Sequence, residues 1–147
     1  MTEHIHPDTV RLLRECDSGV AMGVDALDNI LCRTRAEPLK QLLADNKDKH
    51  LRLKHEIGTL LERCHDKGKQ PPAMAKSMSR IKTGVKMAFD ESDKTVADLI
   101  TDGCSMGIKT LYRYLNEYKA ADEKSKAIAK DLIGLEESLR ADLTSYL

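Results

Sequence analysis

The sequence has little of what most recognisable activities require. It contains no Trp, and its aromatic residues, four Tyr and one Phe, make up 3% of 147. That excludes the row of stacking platforms on which single-stranded nucleic acid is usually held. It has no excess of either charge: Lys plus Arg and Asp plus Glu number 24 each. No global field therefore draws nucleic acid or an anionic membrane toward it. The four cysteines, Cys16, Cys32, Cys64 and Cys104, show no C-x-x-C spacing and read as free thiols. No apolar run approaches the roughly 18 residues of a membrane span. The opening residues, Met1 to Pro7, are polar and carry no apolar stretch behind basic residues, so a cytoplasmic location is expected. Phosphate-binding loops, dinucleotide glycine motifs and nucleophile elbows are all missing from the sequence.

What the chain does have is a repeat. Gly19-Val20-Ala21-Met22-Gly23-Val24-Asp25-Ala26-Leu27 returns as Gly103-Cys104-Ser105-Met106-Gly107-Ile108-Lys109-Thr110-Leu111. Both copies read G-x-x-M-G-[VI]-x-[AT]-L, and Met22 and Met106 stand 84 residues apart. Two similar halves in one domain of ordinary size are the simplest reading.

Apolar residues recur in steps of three and four throughout, and no strand-like alternation occurs. The first helix is expected over about 8–34, with Leu13, Cys16, Val20, Gly23, Leu27 and Ile30 on its stripe. The second starts near Pro38, with Leu39, Leu42, Asn46, His50, Leu53, Ile57, Leu60 and Cys64 inward, and ends before Lys67-Gly68-Lys69-Gln70-Pro71-Pro72, a breaker cluster. A short basic, Met-rich helix is expected over about 73–89, followed by cap candidates in Asp90-Glu91-Ser92-Asp93. Two more helices follow, over about 92–119 and 122–146. The last two match the first two at offsets of 84 and, more weakly, 86. Residues 1–147 thus read as one domain, with 1–7 a flexible tail and 66–91 a crossover between two helical hairpins. Hairpins joined in this way make the ferritin-like variant of the four-helix bundle, and the fold class is all-α.

The run Leu12-Leu13-Arg14-Glu15-Cys16-Asp17-Ser18-Gly19, the hairpin from Pro38 to Leu61, the basic Met-rich crossover and the repeated Asp102-Gly103 segment resemble a bacterial ferritin-like family of small four-helix-bundle proteins of unknown function. The resemblance implies the ferritin-like fold. It brings no catalytic residues, cofactor or substrate.

A carboxylate-bridged di-iron centre would need Glu from two helices and Glu-x-x-His from the other two. The sequence does not supply it. No His follows His65, and Glu62-x-x-His65 falls at a helix end. No metal, cofactor or catalytic residue is expected. The four motif glycines, Gly19, Gly23, Gly103 and Gly107, are expected to let the first and third helices approach closely, because glycine inside a helix otherwise costs about 1 kcal/mol relative to Ala. The sharpest site candidate is polar. Asn46 and His50 fall on an apolar stripe, and Glu136 is the 86-residue equivalent of His50. A buried His50–Glu136 pair is expected, with Asn46, Asp17, Asp45 and Asp131 as candidate neighbours. It reads either as a layer that fixes helix register or as an altered ligand site. The first functional reading is a metal-free, non-catalytic bundle acting through a protein partner or as a homodimer, with no nucleic acid and no membrane-surface contact. The alternative is a bundle binding a small ligand or a metal around His50 and Glu136.

Overall fold

A computed structural model describes residues 4–66 and 92–147. These residues form four α-helices: α1 (Pro7–Leu31), α2 (Glu37–Arg63), α3 (Asp93–Glu117) and α4 (Glu123–Asp142), with a closing 3-10 turn at Thr144–Tyr146 and no strand among the described residues. The short basic helix expected at about 73–89 lies outside the described residues.

Local chemistry sets each boundary. His6 caps α1, its Nδ1 accepting from Asp8 N at 3.0 Å, and Pro7 occupies the first turn, where a missing N–H is harmless. The helix therefore begins inside the expected tail. Ser92 caps α3 by accepting from Thr95 N, and Asp122 caps α4 by accepting from Ser125 N at 2.8 Å, each satisfying an otherwise orphaned donor. α1 stops at Leu31, short of the expected Thr34, and the Thr34 hydroxyl donates back to Ile30 O at 2.8 Å. At the end of α2 the chain reverses through His65, whose φ is 56°. His65 N donates to Glu62 O and Asp66 N to Leu61 O, a pattern that closes the last turn around a left-handed residue.

The helices bury one stripe each, close to the expected positions. On α2 Leu43 and Leu61 are fully buried, and the expected Leu42 and Leu60 beside them are partly buried against the same clusters. The apolar interior is split in two. One cluster joins Leu12, Leu13, Cys16 and Val20 of α1 to Leu53, Ile57 and Leu61 of α2, Ile108 and Leu111 of α3, and Ile128 to Ile133 of α4. The other joins Leu27 and Ile30 to Leu39 and Leu43, to Val96, Ile100 and Cys104, and to Leu139 and Leu143. The start of α1 thus meets the end of α2, the end of α3 and the start of α4. α1 and α4 point one way, and α2 and α3 the other.

Hydrogen bonds at the two ends of the bundle fix this arrangement. The Asp93 carboxylate, at the start of α3, accepts from Arg35 N and Ala36 N at 2.9 Å each, in the α1–α2 link. At the start of α1, the Thr9 hydroxyl accepts from Asp122 N at 2.9 Å and the Asp8 carboxylate from Ala120 N at 3.1 Å, in the α3–α4 link. Each motif helix begins against the link of the other hairpin. Thr9 and Asp93 are 84 residues apart in the sequence, and Ala36 and Asp122 are 86 apart.

Asp93 holds two main-chain donors with one charged group, and such bonds contribute more than neutral ones. Asp93→Ala should lower stability in urea melts by about 2–3 kcal/mol. Asp93→Asn, which keeps one acceptor, should lose about half as much. A melt unchanged by Asp93→Ala would show that this link is not held through its carboxylate.

Candidate functional site

Between the two apolar clusters lies a polar layer. His50 points inward from the middle of α2 and is 1% exposed. Its Nε2 lies 2.8 Å from Glu136 Oε1 on α4, and its Nδ1 lies 2.9 Å from Asn46 O, one turn earlier on α2. The Glu136 side chain is 15% exposed. The sequence placed this pair correctly, because His50 lies four residues after Asn46 and three before Leu53, all on one helical face.

The hydrogen-bonding pattern dictates the protonation state. A main-chain carbonyl only accepts, so Nδ1 must carry a hydrogen and donate to Asn46 O. The other nitrogen then faces a carboxylate oxygen, and one further proton must lie between them. Burial alone would favour the neutral ring. The hydrogen bond to Glu136, the bond to the Asn46 carbonyl and the carboxylate charge together outweigh burial, and they raise the His50 pKa above its ordinary value. The balance thus favours the imidazolium form, donating in two directions.

α3 adds a third member that sequence reasoning took for a plain apolar residue. The Cys104 thiol is buried and faces the Glu136 carboxylate; burial first, and then that carboxylate, push the thiol pKa far up, with Arg140 opposing. The only available signal was that Cys104 lies three residues before Gly107, which is no guide to its partner. Burial likewise pushes Cys16 up to about 12. Both buried thiols stay protonated at neutral pH and are poor nucleophiles. The Asn46 amide donates to Leu135 O at 3.5 Å, while its buried Oδ1 has no hydrogen-bond partner.

The motif glycines take two roles, neither of them the expected glycine-to-glycine contact of α1 with α3. A Cβ on Gly23 would lie 3.1 Å from Cδ2 and Nε2 of His50. A Cβ on Gly107 would lie 3.8 Å from the Glu136 carboxyl group. The second glycine of each copy thus floors one member of the polar pair. Gly19 and Gly103 are exposed, and a Cβ on either would meet nothing within 4 Å. The helical period locates an edge of the buried stripe, but it does not say how near a neighbouring helix comes to that edge.

The other candidate residues do not join the layer. Asp17 is buried but accepts from Lys54 Nζ at 3.3 Å, forming a separate α1–α2 ion pair. Asp45 is exposed and accepts from Gln41 at 2.8 Å. Asp131 is exposed beside a shallow open groove of about 410 Å³ between α2 and α4, with Lys49, Arg52 and Lys130 on its rim. These three carboxylates sit on the outer flank of their helices or, for Asp17, at a different level. Glu62 and His65 cannot act together on one helical face, because His65 already lies beyond the helix in the left-handed region. Among the described residues no three His, Cys, Asp or Glu side chains converge in a way that could hold a metal ion.

No protein-family model, curated protein or solved structure matches the chain.

Both imidazole nitrogens are engaged, and Glu136 pairs with His50. Removing one partner should therefore leave the other buried and unpaired, a loss of about 3–5 kcal/mol. His50→Leu and Glu136→Leu together should cost less than the two single changes summed, and a double-mutant cycle in urea would read this as an interaction energy. Additive losses would make the two residues independent. The glycines offer a paired control. Gly107→Ala has room and should gain up to about 1 kcal/mol of helix propensity. Gly23→Ala must displace the imidazole and should be neutral or destabilising.

Proposed function

We propose that this chain is a ferritin-like bundle without a di-iron centre, built from two related hairpins, that acts by protein–protein contact, in the first instance with a second copy of itself. The observation that carries this reading is the outward half of the repeated motif. Gly19 and Gly103 each interrupt a helix with no atom of the described residues within 4 Å of where a Cβ would stand. Beside them, Met22 is 41% and Met106 71% exposed.

These residues belong to one side of the bundle. Glu15 of α1 hydrogen-bonds to Tyr114 of α3 across the seam between the two helices, and burial together with that bond pushes Tyr114 up to about 12. From Glu15, steps of four, three and four along α1 lead to Gly19, Met22 and Ala26. Back from Tyr114, steps of four, four and three lead to Thr110, Met106 and Gly103. Both stripes therefore flank the same seam. Small residues along them allow close approach of another backbone, and flexible methionines adapt to an apolar surface. Two equivalent stripes on antiparallel helices also suit a self-complementary, two-fold contact. The matching end clamps at Thr9 and Asp93 support the duplicated-hairpin part of the reading. The opposed directions of α1 and α3, and the shared direction of α2 and α3, support the ferritin-like connection.

A second reading rests on one atom. The buried, unpartnered Oδ1 of Asn46 beside His50 and Glu136 is the kind of acceptor a small bound molecule or a water would occupy. It favours the alternative of a small-ligand site in the core.

Methyl NMR and sedimentation equilibrium test the first reading together. The Met22 and Met106 methyl signals should shift with protein concentration while the molecular mass rises toward that of a dimer. Met22→Lys with Met106→Lys should hold the protein monomeric without loss of helix content. A wild-type chain that stays monomeric at millimolar concentration, with both methyl signals fixed, would overturn self-association through this face.

A further inference from the structure

The two halves of the motif do different things one residue apart. Met22 and Met106 lie on the outer side of α1 and α3, and the next residues, Gly23 and Gly107, rest on His50 and Glu136. We propose that the His50–Glu136 layer is a proton-operated latch for the α1/α3 face: one bound proton closes the layer and sets the spacing of the motif helices, and loss of that proton releases them.

The geometry requires the proton. The ring sits between two acceptors, Asn46 O at 2.9 Å and Glu136 Oε1 at 2.8 Å. When the proton on Nε2 passes to a base in solution, the nitrogen lone pair faces a carboxylate oxygen and the attraction becomes a repulsion. Among the described residues no other group is bonded to Nε2 in a way that replaces the lost donor. From α3 the group facing Glu136 is Cys104, with Arg140 of α4 acting on that thiol. From α1 the contact to the ring is Gly23, which carries no ionisable group. On α2 itself the neighbour is Asn46, whose amide points to Leu135 O. The ion pairs on either side of His50 along α2, Lys47 with Asp28 and Lys54 with Asp17, are already formed. Glu136 keeps a 15% opening to solvent, so its carboxylate has a route out of the layer when the proton leaves. The ring can then move as well, because Gly23 offers no side chain to hold it.

The sign follows from the elevated His50 pKa. A group held protonated in the folded state gives its full stabilisation below its unfolded pKa of about 6.5, and that stabilisation disappears as pH rises through the folded value. The latch is shut in acid-to-neutral solution and opens on the alkaline side.

The inference uses the contact face argued above, so its test reads the latch and the contact separately. Dilute protein, below any self-association, is titrated from pH 6 to pH 10 while the His50 ring nitrogens and the Met22 and Met106 methyl groups are followed by NMR. The His50 midpoint should lie above that of an ordinary His, with Nδ1 retaining its hydrogen after titration. Both methyl signals should move with the same midpoint, and the melting temperature should fall by a few degrees across it. Glu136→Gln should lower the midpoint and uncouple the methyls from it. His50→Gln provides a second, non-titrating variant, in which the methyl step should vanish. Methyl signals that ignore the His50 titration, or a step that persists in either variant, would overturn the latch. Self-association measured at pH 6 and pH 9 is the separate arm. Methyls that follow His50 in a chain that never dimerises would leave the latch standing and remove the contact; dimerisation indifferent to pH, with methyls that ignore His50, would do the reverse.

Discussion

An imidazole held between two acceptors is the constraint around which the rest of the bundle is arranged. His50 cannot satisfy Asn46 O and an ionised Glu136 at once without a second ring hydrogen. Placing that polar ring in the interior has consequences for every helix. α4 must bring a carboxylate to it, α3 sets a buried thiol against that carboxylate, and α1 must give up a side chain at Gly23 to make room. The apolar core divides on either side of the layer because Leu, Ile and Val cannot share a level with an ion pair. An ion pair of this kind adds little net stability over a packed apolar one, but it strongly disfavours any register in which one partner lacks the other. In a bundle of two similar hairpins, where slipped or swapped pairings are near alternatives, that selectivity matters more than the energy of the pair.

The same need for selectivity explains the ends. Helical hairpins with similar stripes can dock in more than one way. Asp93 on the α1–α2 link, and Asp8 with Thr9 on the α3–α4 link, tie each helix start to the opposite hairpin through main-chain donors. Any other docking leaves those donors unsatisfied. The middle of the bundle is specified by charge and the ends by hydrogen bonding, while the apolar clusters between them supply the driving force without distinguishing one arrangement from another.

Most of this was legible in the sequence, and the parts that were not share a cause. The four helix spans, the Ser92 and Asp122 caps and the break after α2 follow from local rules that need no neighbour. His50 with Glu136 was legible because two independent patterns met there: a polar residue on an apolar stripe and an equivalent carboxylate in the other half. What could not be read was rotation at the stripe's edge. Gly19 and Gly103 lie there, and periodicity alone assigned them to a glycine-to-glycine contact of α1 with α3 that the structure does not form. Leu43 and Leu61 are buried more deeply than the expected Leu42 and Leu60, which pack at the margin of the same clusters, for the same reason: a turn of 3.6 residues leaves neighbouring positions nearly equivalent. Cys104 was placed inside correctly, but its approach to Glu136 depends on how deeply α3 seats beside α4, which no single-helix pattern encodes. Asp17, Asp45 and Asp131 were grouped with the layer by proximity in sequence, and each was claimed by another partner or by solvent.

The glycines connect the interior to the surface. A helix tolerates glycine where something is gained that Ala would forbid. For Gly23 that gain is visible: a Cβ would press on the imidazole. For Gly107 it is slighter, an ordinary contact with the Glu136 carboxyl group. For Gly19 and Gly103 no atom of the described chain lies close enough to account for it. Two helices carry the same interruption at equivalent positions, each three residues before an exposed methionine. Relatedness of the two hairpins accounts for the repetition but not for what the glycine gains; the proposed contact with another molecule would supply that gain in both copies. On that view the G-x-x-M-G segment is one device with two faces. Its inner face is set by a proton and its outer face by a partner, and the single turn of helix between them is the shortest path by which one could influence the other.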